Sequence, residues 1–185
     1  MIIHCTKKLA SKLPENTNKQ NQQIAIGLLN EWQHWHANII TVQRKQCVIA
    51  VHDATRYAVF VPNMTKKHLA EFELHMQDVF INSLIKAGVD IALVDKAARY
   101  FTQYSQQLDT QFDTQCNRSV QGTMRLMAEE LDWNLKHNGQ HFDDIALYST
   151  SAWLSDRPCN IKGQKECLWP IKAMTELLTK LPKIG

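Results

Sequence analysis

The sequence lacks any apolar run approaching the roughly 18 residues that a membrane-spanning helix needs. Its six glycines are scattered through 185 residues, so neither a phosphate-cradling loop nor a dinucleotide fingerprint can be assembled from them. Cysteine is scarce and unpaired. The five residues Cys5, Cys47, Cys116, Cys159 and Cys167 make an odd number with no CxxC among them, which argues against a disulfide framework. A surplus of either charge is also missing, with 21 Lys and Arg against 18 Asp and Glu for a net charge of +3. Duplex binders carry a basic stripe that neutralises many phosphates; here there are only pairs such as Lys7-Lys8, Arg44-Lys45 and Lys66-Lys67. Met1-Ile2-Ile3-His4-Cys5 runs straight into Thr6-Lys7-Lys8 without the apolar stretch of a signal peptide. The expectation is therefore a cytoplasmic protein with no membrane segment and five reduced thiols.

What is present suffices for a core. Apolar residues make up 44% of the chain and charged ones 21%, an ordinary globular balance, and the length fits a single domain, 1–185. Ile2 to Cys5 reads as a strand. Thr6 is placed to cap a short helix that Pro14 ends. Residues 15–23 are polar throughout and read as a mobile loop, and Ile24 to Trp32 reads as a short apolar helix. Between Asn38 and Val61, three β-branched runs are separated by Gln43-Arg44-Lys45-Gln46 and His52-Asp53-Ala54-Thr55, which predicts an antiparallel meander with its middle strand buried on both faces.

From Thr65 the period turns helical. Leu69, Phe72, Met76, Val79, Phe80 and Leu84 form one face, and Gly88 supplies the stop. Val94, Ala97, Phe101 and Tyr104 line a second helix, capped by Asp90. Val120, Met124, Met127, Leu131 and Leu135 line a third, ended by Asn138-Gly139. A weaker helical turn spans Ile145 to Trp153, and Pro170 opens a last helix carrying Ile171, Met174, Leu177 and Leu178. Strands early and helices late predict an α+β fold: a small antiparallel sheet, the meander 38–62 plus the N-terminal strand, packed with several helices.

Several groupings bear on chemistry. His34 and His36, two residues apart, face one side of a strand, and with His52-Asp53 they are a candidate metal pair or triplet; packing histidines at a helix-to-strand junction account for them more simply, and no cofactor or metal is assigned. Cys116 and Cys159 lie in polar segments beside Arg118 and Arg157, where a thiol is activated if a base is at hand, yet no motif names that base. Arg118-Ser119-Val120-Gln121-Gly122, at a helix start, suits an anion or simply a cap. Trp32, Trp35, Arg44, Lys45, Arg56 and Tyr57 interleave aromatic and basic character as RNA-binding sheets do; a helix–sheet packing cluster explains the tryptophans as well, and charge does not support nucleic acid.

Six blocks together resemble a known family. They are the opening Met1-Ile2-Ile3-His4-Cys5-Thr6-Lys7-Lys8-Leu9; Trp35-His36-Ala37-Asn38; the Arg44-Lys45-Gln46-Cys47-Val48 hairpin; His52-Asp53-Ala54-Thr55-Arg56; Arg118-Ser119-Val120-Gln121-Gly122-Thr123-Met124; and Leu154-Ser155-Asp156-Arg157-Pro158-Cys159. The chain is similar over nearly its whole length to an uncharacterised bacterial domain-of-unknown-function family. The resemblance implies one domain and carries no catalytic residues with it; Gln121, where an aliphatic is expected, departs from the pattern.

Two functional readings follow. The first is an accessory protein that binds a macromolecular partner, more a binding module than an enzyme and of undetermined oligomeric state. The second is a small enzyme or an anion- or nucleic-acid-binding domain whose polar rim is Lys7, His52, Asp53, Arg56 and Arg118. Local folding does not require those polar residues, so they are the candidates for a shared site.

Overall fold

A computed structural model describes residues 1–14, 28–107, 110–161, 163 and 165–182; the expected loop at 15–23 lies outside the described residues. Five strands form one sheet: β1 (Ile2–Cys5), β2 (His34–Val42), β3 (Lys45–His52), β4 (Ala58–Val61) and β5 (Gln111–Asp113). Their order is β4-β3-β2-β1-β5. The meander is present, with β3 antiparallel to both β2 and β4. The sheet as a whole is mixed, because β1 runs parallel to β2 on one side and to β5 on the other. That corrects the all-antiparallel expectation. A parallel neighbour needs a long crossover rather than a tight turn, so local sequence gives no sign of it.

Strand β2 starts at His34, four residues earlier than the β-branched run suggests, directly after helix α2 (Leu28–Gln33). The β2–β3 hairpin turns on Gln43 and Arg44, both at positive φ (44° and 69°). That is the primed turn matching strand twist, here built without glycine. Gln43 is held from outside: its Nε2 donates to the Gln140 carbonyl at 2.7 Å and its Oε1 accepts the Phe142 N–H at 2.8 Å.

Helices cover both faces. On one side α1 (Lys7–Ala10), α4 (Phe72–Lys86), α5 (Ile91–Gln107) and α8 (Pro170–Lys180) close over Ile3, Trp35, Ala50 and Val59. The expected long helix breaks at Glu71 into α3 (Lys66–Ala70) and α4, with Thr65 accepting the His68 N–H as N-cap. Gly88, at φ +74°, ends the element as expected. On the other side α6 (Arg118–His137) buries Val120, Met124, Met127, Leu131 and Leu135 against Ile49, Val51 and Phe60, the five residues its period predicts. Helix α7 (Leu147–Ser155) lies along β4 at the sheet edge. No helix among the described residues is long and apolar enough to cross a membrane.

Candidate functional site

Strand register creates the site. His4 on β1 pairs with His36 on β2 and with Asp113 on β5, so three polar side chains form a row across three strands. Side chains two residues apart share a face, which adds His34 to that row's face, the same one that α6 covers further along.

The contacts are specific. His4 Nδ1 lies 2.7 Å from Asp113 Oδ1, and His4 Nε2 lies 2.9 Å from His34 Nδ1. A carboxylate only accepts, so His4 Nδ1 carries a proton and donates it to Asp113. The His4 and His34 rings are within 6° of parallel with centres 5.2 Å apart. That separation matches the N···N distance plus the two ring radii, so the rings meet edge to edge along a nearly linear N–H···N bond. They are not stacked faces. Asp113, His4 and His34 therefore form one hydrogen-bonded line. Burial, with His4 beside it, pulls the His34 pKa below its ordinary value.

A second group adjoins the line. The His36 ring centre is 4.7 Å from that of His4. Its Nδ1 accepts the Asn117 N–H at 3.3 Å, just before α6, and its Nε2 donates to Asp53 Oδ1 at 3.1 Å. That bond holds the Asp53 carboxyl below the usual carboxylate range against the opposing effect of burial. Arg56 Nη1 stands 3.6 Å from the same oxygen, an ion-pair distance too long for a hydrogen bond. The Arg56 side chain is only 6% exposed, and neither Nε nor Nη1 has a hydrogen-bond partner among the described residues. Its backbone sits at φ +59°, a left-handed conformation rare for a residue with a Cβ. Solvent reaches the group through Asp53 and Asp113, at 39% and 35% exposure.

The five residues of the expected rim divide. Asp53 and Arg56 sit in this cluster. His52 points to the opposite face, fully buried, where its Nδ1 accepts the Thr55 N–H at 3.2 Å and its Nε2 donates to the Trp32 carbonyl at 3.3 Å. Lys7 and Arg118 are exposed at the first positions of α1 and α6; Arg118 follows Asn117, which does touch the cluster. Sequence reasoning missed His4 and Asp113 because only the parallel pairing of β1 with β5 brings them together. The alternation His34-x-His36, by contrast, was visible. No group of three or more His, Cys, Asp or Glu among the described residues is arranged to hold a metal ion. Both nitrogens of His4 and of His36 already have partners.

Five of the six sequence blocks singled out above converge here. His4, His36, Asp53 with Arg56, and the start of α6 each contribute one. The block at 154–159 contributes Cys159: burial pushes its thiol pKa up, and the Arg56 guanidinium opposes that rise. The chain matches a domain-of-unknown-function family, DUF6933, over residues 2–173. It belongs to that family. No curated protein and no solved structure matches it. The family's function is unknown, so the geometry itself must carry any functional reading.

A separate groove of about 820 Å³ runs between α6 and the segment after α7, lined by Leu126, Met127, Trp133, Leu154 and Pro158 among others. Leu126 and Trp133 are exposed in it. Arg157 closes one wall, paired with Glu130 and lying 4.0 Å over the Trp153 ring.

Proposed function

We propose that the polar end of the sheet is an acid–base centre, where a proton passes between the imidazole pair and a small bound ligand. The observation that carries this reading is the hydrogen-bonded line from Asp113 through His4 to His34. A carboxylate that fixes one imidazole's tautomer and ring orientation is the arrangement by which a histidine is readied to accept or donate a proton. The lowered pKa of His34 favours the neutral ring near neutral pH, the form able to accept. Of the two readings drawn from the sequence, the small enzyme or anion-binding domain has this cluster behind it, with His4, His34, His36 and Asp113 joining Asp53 and Arg56. The macromolecular-partner reading has only the groove beside α6, and nothing at that groove indicates what covers it. A cytoplasmic setting fits the five thiols and is part of the proposal.

The test is a ring-nitrogen NMR titration. Two imidazoles sharing a proton should titrate in two coupled steps that belong to the pair. Asp113→Asn, whose amide can accept from or donate to His4 Nδ1, should redistribute the His4 tautomers, and His34→Gln should abolish the coupling. Independent titration of His4 and His34, or no response to Asp113→Asn, would remove the acid–base reading.

A further inference from the structure

We infer that the Arg56 guanidinium, with the start of α6, forms an oxyanion subsite beside the imidazole pair, so the ligand of the acid–base centre is a small carboxylate- or phosphate-type anion. The inference takes its location from the acid–base reading; its chemistry comes from different atoms. A guanidinium has five N–H donors and no acceptor. Burying such donors without a hydrogen-bond partner is costly, the more so for a charged group. Arg56 is buried with Nε and Nη1 lacking partners, and a left-handed backbone holds it there. Packing alone gives no reason to put a guanidinium in that place, whereas a fork of free donors is what a carboxylate or phosphate accepts in bidentate fashion.

A second feature favours negative charge at the same spot. Helix α6 is 20 residues long, and its N-terminal end, carrying the positive pole of the helix, meets His36 through the Asn117 N–H. From His36 the contacts pass through Asp53 to Arg56, so helix start and guanidinium are the two ends of one contact chain, Asn117–His36–Asp53–Arg56. Asp53 is part-exposed and makes no hydrogen bond to Arg56 in the described contacts. Because Nε and Nη1 are themselves sealed from solvent, an incoming oxyanion engages the guanidinium by displacing the part-exposed Asp53 carboxylate from its 3.6 Å ion pair, and breaks no hydrogen bond to Arg56 in doing so.

Charge counting then dictates how binding depends on pH. The groups facing the subsite are His4 on β1, His34 and His36 on β2, Asp53 and Arg56 between β3 and β4, Asp113 on β5, Cys116 ahead of α6 and Cys159 beyond α7. With the imidazoles neutral and the thiols protonated, two carboxylates are balanced by Arg56 and by the exposed Arg118 at the first position of α6, so no net positive charge is left for an anion. An anion enters favourably when one of the three imidazoles takes up a proton. Binding should thus be coupled to proton uptake and weaken by up to about tenfold per pH unit above the histidine range.

The experiment is a titration of the full chain with sodium sulfate, a dianion that does not itself titrate near neutrality, and in parallel with sodium acetate. Amide and imidazole NMR shifts are followed at about pH 6 and pH 8, in parent, Arg56→Gln and Arg56→Lys. The expected result is saturable binding of at least one anion that shifts the Asn117 amide and the His36 ring. It should be tighter at the lower pH, and weakened about tenfold or more by Arg56→Gln and less by Arg56→Lys. Sulfate preference assigns the phosphate-type class, and acetate preference the carboxylate class. No saturable shift in the parent, or binding indifferent to Arg56 in a folded variant, overturns the subsite. Coupled titration of His4 and His34 in the absence of any anion is read in the same samples, so the acid–base centre stands or falls on its own signal.

Discussion

At the scale of single residues, His52 and His36 show how little a histidine's neighbours in sequence say about its role. Both precede or face Asp53, yet His36 donates to Asp53 while His52 faces the apolar side and is sealed there. Burial lowers the His52 pKa from 6.5 to about 4, and the Thr55 N–H occupies the nitrogen that would take the second proton. The unfolded chain therefore binds a proton at His52 that the folded chain refuses. Stability should fall as pH drops from about 6.5 to 4, by about 3 kcal/mol from this residue if the shift is fully expressed, and level off below. Asp53 acts in a different window, since its depressed pKa withdraws stability only below its unfolded value of 3.8. His34, also shifted down, adds a loss of the same sign as His52. Urea midpoints measured between pH 7 and 4 should show the slope. His52→Gln, which keeps a donor for Trp32 and an acceptor for Thr55 but does not titrate, should reduce it. An unchanged slope in that variant would mean His52 is not the group responsible. The thiols give a second check. Cys159 pairs with Leu168 across a short antiparallel bridge, and the Cys167 thiol donates to Asn160 at 3.0 Å. Cys159 and Cys167 thus point to opposite sides, and all five cysteines are free. Thiol counting on the denatured, unreduced chain should give five; three would refute this.

At the scale of elements, legibility tracked how local the determinant was. Helix α6 was readable to the residue because its five inward positions repeat at helical spacing over 20 residues. The middle strand β3 was readable because it is apolar on both faces. Ile49, fully buried between β2 and β4, should cost roughly 2–5 kcal/mol when replaced by alanine, measured by chemical denaturation. Strand β5 was not readable: three residues show no period, and its strand partner among the described residues is β1, more than 100 positions away. The protection of the β4 edge was equally hidden. The outward N–H groups of Ala58 and Phe60 donate to the hydroxyls of Ser155 and Ser151, both at 2.9 Å. Two serines one helical turn apart on α7 thus stand in for a sixth strand on an edge that otherwise invites pairing with another chain. Ser155→Ala should leave a buried N–H unpaired and cost about 1–3 kcal/mol. A loss below about 0.5 kcal/mol would mean that water or a backbone shift replaces the hydroxyl.

At the scale of the whole molecule, the sheet has one end serving stability and another where local rules are broken. Along most of its length both faces are closed by apolar side chains. At the end where β1, β2 and β5 meet the start of α6 stand three imidazoles, two carboxylates and a buried guanidinium. Sequence reasoning found the polar turn at Asp53 and Arg56 but set His52, Lys7 and Arg118 beside it: His52 faces the opposite side of the sheet, and the parallel pairing of β1 with β5 that supplies His4 and Asp113 leaves no local trace. Arg56 departs furthest from what folding alone favours, with a strained φ and desolvated donors. A left-handed conformation costs a residue with a Cβ roughly 1–2 kcal/mol, and the unpaired donors add to that. If Arg56 serves a ligand and not the fold, removing it should relieve both costs. Arg56→Gly permits the positive φ without strain and removes the charge, while Asp53 stays solvated at its exposed edge. The expected unfolding free energy is within about 1 kcal/mol of the parent or higher, since relief of strain offsets the lost packing of the side-chain stem, together with loss of sulfate or acetate binding. A drop of several kcal/mol would make Arg56 a structural residue, its contact with Asp53 part of what holds the 52–57 connection, and the oxyanion subsite would lose its main support.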